Sequence, residues 1–171
     1  MIRTARLLLR SVRPQDDLAA MHAIMRRPSA MAYWSTPPHD DAAMTAEFLG
    51  NMAEVPPLEG EDFIVEHEGR VIGKAGFYRF PDLGYIFDPA VWGQGFAREA
   101  VGAVVDRGFA VHHLPRIQAD VDPRNKASIR LLERLGFSET HRAARTWLVG
   151  EEWCDSVYFA LTCEDWTQRT A

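Results

Sequence analysis

Residues 84–100 read Gly-Tyr-Ile-Phe-Asp-Pro-Ala-Val-Trp-Gly-Gln-Gly-Phe-Ala-Arg-Glu-Ala. The run Tyr85-Ile86-Phe87 has the texture of a strand. Beyond Gly95 the pattern changes: Ala97, Val101, Val104, Val105 and Gly108 fall on one helical face while Arg98, Glu99, Asp106 and Arg107 fall off it, which predicts a helix from Gly95 to Val111. A strand that passes through a Gly-containing loop into a helix makes an anion site. The first-turn N–H groups lack intrahelical acceptors, the helix dipole is positive there, and glycines let the main chain approach a ligand. Two familiar phosphate loops fail on spacing. A dinucleotide fingerprint needs a third glycine where Arg98 stands, and a Walker loop needs Gly-Lys-Ser/Thr. On this segment alone, a strand-to-helix turn with convenient glycines remains the plainer alternative.

Outward from this stretch, residues 122–137 (DPRNKASIRLLERLGF) place Asn125 and Ser128 at the start of a helix. Ile129, Leu132 and Leu135 share its apolar face, and Gly136 followed by Phe137 supplies a Schellman-type stop. Alone, this segment is explained by helix capping. On the other side, Leu7-Leu8-Leu9 reads as a strand, and Pro14 opens a helix carrying Leu18, Met21, His22 and Met25 up to Pro28. An irregular stretch from Tyr33 to His39 precedes a second helix, starting at Asp40 and carrying Met44, Phe48 and Met52. From Phe63 to Phe87, short apolar runs (Phe63-Ile64-Val65, Val71-Ile72-Gly73, Phe77-Tyr78, Tyr85-Ile86-Phe87) separated by turn signals predict an antiparallel meander. Arg116 to Val121 reads as a further strand, and two more follow, the last carrying Val157, Phe159, Leu161 and Cys163 on one face. The fold class is mixed α/β.

The chain has 171 residues, enough for one domain over 1–171 that buries about 70% of its unfolded surface without staples. Hydrophobic residues at 47% and charged residues at 25% exclude disorder. With 24 acidic against 19 basic residues the net charge is −5, so the footprint of a nucleic-acid binder is missing. Met1 to Arg6 contain no apolar leader, and the longest uncharged stretch falls short of the ~18 residues a membrane span needs, so a cytoplasmic address without membrane is expected. Cys154 and Cys163 read as ordinary packing residues, and neither HExxH nor a calcium-spaced carboxylate cluster occurs, so no metal is expected. His22 and His67 read as structural or exposed.

Taken in order, these motifs resemble the Gcn5-related N-acetyltransferase superfamily, in its RimJ/RimL-type branch. Trp92-Gly93-Gln94-Gly95-Phe96-Ala97 is similar to the superfamily's motif A, with Trp in the first place as that branch has it. Further matches are Thr4 to Arg10, Gly84-Tyr85, Glu99-Ala100, Asn125 to Phe137, and Asp155 to Trp166, so the likeness runs along essentially the whole chain. The resemblance implies a mostly antiparallel twisted sheet of about seven strands, splayed between the fourth and fifth, with about four helices. It implies acetyl-coenzyme A as co-substrate and a primary amine as acceptor, with direct transfer in a ternary complex. By the same likeness Trp92, Gly93, Gln94, Gly95, Phe96 and Ala97 hold the donor phosphates. The pantetheine arm runs beside the strand ending at Phe87, and Asn125 holds it.

Thioester aminolysis needs a neutral amine, charge stabilisation on the carbonyl oxygen and a proton for the departing thiolate. A main-chain N–H near Phe87 or Asp88 serves the second need. For the third, many superfamily members use a tyrosine, but Leu132 stands at that place here and Ser128 is the expected acid. Asp120, Asp122, Glu66 and Tyr85 are all conceivable bases. Tyr33 and Trp34 are expected on the acceptor side, because ligand contacts concentrate in such loops. The acidic balance favours a cationic acceptor such as a peptide N-terminus, a polyamine or an aminoglycoside, and homodimerisation is common in the family. Two other classes stay open: a catalytically silent acyl-coenzyme A-binding regulatory domain, and a binder of some other phosphate ligand.

Overall fold

The structure is a computed structural model that describes residues 1–170. Its elements are β1 (Ile2–Arg3), β2 (Leu7–Arg10), α1 (Pro14–Met25), α2 (Pro28–Met31), α3 (Ala42–Glu54), β3 (Glu61–His67), β4 (Arg70–Arg79), β5 (Asp82–Phe87), a 3-10 turn (Pro89–Val91), α4 (Phe96–Ala110), β6 (Arg116–Val121), α5 (Lys126–Leu135), β7 (Ser138–Val149), β8 (Glu152–Thr162) and α6 (Cys163–Thr170). The strands form one sheet in the order β1-β2-β3-β4-β5-β6-β8-β7. Every neighbouring pair is antiparallel except β5 and β6, which run parallel and share a single register pair, Asp82 with Gln118. They part from there on.

Several sequence expectations are corrected in detail. The sheet has eight strands rather than seven, because the two residues Ile2 and Arg3 pair with Leu9 and Leu8, too short a strand to leave a pattern. Without β1, the splayed strands are the expected fourth and fifth. Among the described residues there are six α-helices rather than about four, the additions being the four-residue α2 and the eight-residue α6. The second long helix is capped by Asp41, whose side chain accepts from the Ala43 N–H at 2.9 Å, not by Asp40. Val71-Ile72-Gly73 and Phe77-Tyr78 belong to one ten-residue strand. Cys163 opens α6 and is exposed instead of ending a strand face.

Side chains alternate across a strand, so each face of the sheet collects its own core. On one face Phe63, Val65, Ala75, Phe77, Ile117 and Phe159 pack under Val101, Val104 and Val105 of α4 and Leu132 and Leu135 of α5. Leu132 is fully buried there as a core residue. On the other face Ile64 and Ile86 lie under Met21, Ile24 and Met25 of α1 and Leu49 of α3. That second layer is pinned by charge. The Arg10 guanidinium of β2 donates to both Asp17 carboxylate oxygens, at 2.9 and 2.5 Å, and to Glu66 at 2.7 Å, while the Arg13 N–H donates to Asp17 at 2.7 Å.

Candidate active site

The loop after the 3-10 turn is shaped by two left-handed residues, Gly93 at φ 76° and Gly95 at φ 83°. A side chain at either position would be strained, and the space beside Gly93 is open. Gly95 is the N-cap of α4 with no side-chain cap, and the first intrahelical bond is Glu99 N–H to Gly95 O at 3.1 Å. The N–H groups of Phe96, Ala97 and Arg98 therefore open outward. Arg6 locks this loop. Its Nη1 donates to Gln94 O at 3.1 Å, its Nε donates to Glu99 at 2.7 Å, and its guanidinium lies over the Phe96 ring at 4.3 Å. Burial opposes ionisation of Glu99, but hydrogen bonds from Thr4 and Arg6 outweigh it and hold the carboxyl below its usual range. Thr4 and Arg6, in the turn between β1 and β2, thus brace this loop.

The gap between β5 and β6 comes next. The Asp88 N–H donates to Ile72 O at 2.8 Å, and in an antiparallel ladder bonded and non-bonded pairs alternate, so the main-chain groups of Phe87 and Tyr85 point away from β4 into the gap. This narrows the sequence expectation: the Asp88 N–H is committed to β4, and that of Phe87 is the one presented. Trp92, half exposed, donates its indole N–H to Phe87 O at 3.0 Å and ties the loop to the strand.

Ser128 and Asn125 sit at the far side of the gap, on α5. Asn125 Oδ1 accepts from the Ser128 N–H at 3.1 Å and caps the helix. The Ser128 hydroxyl is not part of that cap; it lies 2.5 Å from the Tyr85 hydroxyl of β5. Burial pushes the Tyr85 phenol up to about 12, against a smaller opposing pull from Ser128. Tyr85 therefore stays protonated at neutral pH, with its hydroxyl hydrogen-bonded to that of Ser128.

On the opposite face, over β4, β5 and β6, lies a cavity of about 610 Å³. Tyr33 and Trp34 line it, with His39, Glu47 and Phe48 behind them, and the β7–β8 hairpin contributes Trp147, Glu152 and Asp155. Trp34 meets Phe48 edge-on at 6.4 Å. His39 and His22 both reach the Thr45 hydroxyl, at 2.9 and 3.0 Å, and brace α3 against α1. Six carboxylates, Glu47, Asp62, Asp120, Asp122, Glu152 and Asp155, face two cations, Lys74 and Arg124. Both cations are engaged: buried Lys74 bonds Asp62 at 2.5 Å beneath Trp34, and Arg124 bridges Asp122 and Glu152.

The conceivable bases separate accordingly. Glu66 is held by Arg10 outside the cavity, Asp122 by Arg124, and Asp120 remains. Sequence reasoning missed the Lys74–Asp62 pair and the hairpin wall. A lysine in the apolar run 71–77 was the available signal; its partner on the neighbouring strand was not readable.

A model of the acetyltransferase (GNAT) domain matches residues 6–138. The chain belongs to the GNAT acetyltransferase family. An uncharacterized N-acetyltransferase, p20, of Bacillus licheniformis is 32% identical over 147 residues, covering 80% of this chain and 81% of that protein. The ribosomal protein uS5-alanine N-acetyltransferase of Escherichia coli is 36% identical over 107 residues, 58% of this chain and 55% of that one. The crystal structure of spermidine N-acetyltransferase from Vibrio cholerae, in complex with coenzyme A and spermine, superposes with a TM-score of 0.81 at 20% identity, covering 96% of this chain and 99% of its own. The chain is an N-acetyltransferase. In this acetyltransferase no helix among the described residues is long and apolar enough to cross a membrane, and among them no group of His, Cys, Asp and Glu could hold a metal ion.

Proposed function

We propose that this acetyltransferase, acting as one domain in the cytoplasm, moves the acetyl group of acetyl-coenzyme A directly onto a primary amine that carries further positive charge. The observation that supports it is the placement of the Ser128–Tyr85 hydroxyl pair and an acidic cavity on opposite faces of the same strand gap. The donor phosphates bind the outward amides of the Gly93 to Ala97 loop, with Trp92 and Gln94 framing it. The pantetheine arm lies along Phe87 as an added strand, and the Asn125 amide NH2 holds it, Oδ1 being committed to the helix cap. The acceptor enters between Tyr33, Trp34 and the β7–β8 hairpin.

Chemically, the amine nitrogen attacks the thioester carbon, and the Phe87 N–H stabilises charge on the carbonyl oxygen. As the carbon–sulfur bond breaks, the Ser128 hydroxyl hydrogen goes to the sulfur, with Tyr85 donating to Ser128 behind it. An α-amine, with a pKa near 7.7–8.0, supplies the free base more readily at neutral pH than an alkyl amine near 10.4. The excess of carboxylates favours basic acceptors of either kind: peptide N-termini, polyamines and aminoglycosides. The uS5-alanine and spermidine acetyltransferases among its relatives are named for one of each.

Calorimetric titration tests the donor site, with ATP and NAD as controls: acetyl-coenzyme A should bind saturably and the controls should not. Ser128→Ala should then lower kcat by about 10²-fold, the scale of one positioned proton donor, and leave donor affinity within about twofold. A loss confined to thermal stability would assign Ser128 to structure and remove it from the reaction.

A further inference from the structure

We infer that Asp120 is the residue that takes the proton from the acceptor nitrogen, and that Trp147 positions it. This rests on the amine-acetylation reading above.

The register places Asp120. β5 and β6 pair at Asp82 and Gln118, and two residues further along each strand Asp120 comes level with Gly84, where the strands have begun to part. Both residues line the acceptor cavity. The next residue of β5 is Tyr85, and because side chains alternate, it points to the other face, where it meets Ser128. A carboxylate and a hydroxyl pair thus stand on either side of one gap, separated by the sheet. That is the arrangement aminolysis needs: one group to receive the nitrogen's proton and another to supply the sulfur's.

Four of the five competing carboxylates are engaged. Asp62 is bonded to Lys74, Asp122 and Glu152 to Arg124, and Asp155 accepts from the Arg145 N–H at 2.9 Å. Among the described residues Asp120 has no cationic partner. Its Oδ2 accepts from the Trp147 indole N–H at 2.7 Å, which fixes the plane of the carboxylate and leaves Oδ1 to accept. Trp147 reaches across from β7, half exposed, so this hydrogen bond also joins the hairpin wall to the strand gap. The other titratable groups turned toward this spot are Tyr78 of β4, raised by burial and then by Asp82, and Tyr158, the cross-strand partner on β8, with His141 of β7 stacked on it. Glu47 faces the cavity from α3.

The step balances. The lone pair of the neutral amine forms the carbon–nitrogen bond, and the carbon–sulfur pair leaves with sulfur. The nitrogen, made acidic by bond formation, gives its extra proton to Asp120 Oδ1, which returns it to solvent. The sulfur takes its proton from the Ser128 side.

The test compares wild type, Asp120→Asn, Asp120→Glu and Trp147→Phe in transfer from acetyl-coenzyme A to spermidine, to kanamycin and to a basic hexapeptide with a free N-terminal alanine. Donor affinity by calorimetry and thermal melts accompany each. Asp120→Asn should lower kcat/KM by about 10²–10³-fold with donor affinity within about twofold, and Asp120→Glu should recover at least about tenfold of that. In wild type the acid end of log kcat/KM against pH should fall with slope 2, one proton on the acceptor and one on Asp120; Asp120→Asn should fall with slope 1. Trp147→Phe should lower kcat by about tenfold with donor affinity within about twofold, because the carboxylate loses the N–H that orients it. An Asp120→Asn rate within threefold of wild type, a slope of 2 that survives in it, or a Trp147→Phe kcat within twofold of wild type overturns the assignment. A wild type that binds the donor and acetylates none of the three amines overturns it together with the reading on which it rests.

Discussion

Gly95→Asp should weaken acetyl-coenzyme A binding by at least about 100-fold while leaving the melting temperature nearly unchanged. The residue sits at φ 83° as the N-cap of α4, a conformation disfavoured for most side chains but tolerated by Asp and Asn better than by others. Asp is also a preferred N-cap, since its carboxylate accepts from the N–H groups of the first turn. Those are the N–H groups proposed for the donor phosphates, and Arg6 Nη2 stands 3.5 Å from where the new Cβ would lie. The substitution fills the anion site with its own anion and places a like charge against any phosphate. Strain and capping roughly offset in stability, whereas binding loses both amides and field. Calorimetry with acetyl-coenzyme A checks it, and an unchanged dissociation constant would refute the loop assignment.

Asp17→Ala should cost about 3–5 kcal/mol, the range for breaking a buried ion pair from one side, and lower the melting temperature on the order of 10 °C. Asp17 is 1% exposed and receives three hydrogen bonds, two from Arg10 and one from Arg13. Removing it leaves the Arg10 guanidinium in a buried site with Glu66 alone. Burial by itself would raise the Asp17 carboxyl, but the hydrogen bonds from Arg10 and Arg13 reverse that and hold it below the usual range. A carboxyl depressed in the folded state contributes stability above its unfolded value, near 3.9, and loses it as pH falls through the folded value. Wild type should therefore show a stability loss on acidification that Asp17→Ala lacks in part. A cost below about 1 kcal/mol in chemical denaturation would show that α1 is held by its methionine packing alone.

How far the sequence carried this reading differs from element to element. Where one local cause decides the structure, the expectation holds to the residue: Pro14 at the first turn of α1, Asn125 at the cap of α5, Gly136 at φ 97° ending it, and Arg116 to Val121 as β6. What was not legible depends on partners distant in the chain. The two-residue β1 exists only because β2 runs beside it, and the 2.5 Å contact of Ser128 with Tyr85 joins residues 43 apart. Tyr85 carries no sequence mark of the burial that keeps its phenol protonated. The Lys74–Asp62 pair likewise becomes visible only when β3 and β4 are laid side by side.

The parting of β5 from β6 also bears on how the molecule breathes. A sheet is held across each boundary by its ladder, and here one boundary has a single rung, at Asp82 and Gln118, with further adhesion coming from the helix layer on one face and from Arg124 over the Tyr33 ring on the other. Local opening takes the route that breaks fewest bonds, so β1 to β5 and β6 to β8 should fluctuate as two leaves about that rung. Amide hydrogen exchange should be fastest, among the central strands, at Tyr85 and Phe87. On the proposed donor placement, coenzyme A bridges the two leaves with main-chain hydrogen bonds of its own, and its arrival should slow exchange on both at once. A molecule that reacts in the cleft would thereby also act as the strut that closes it.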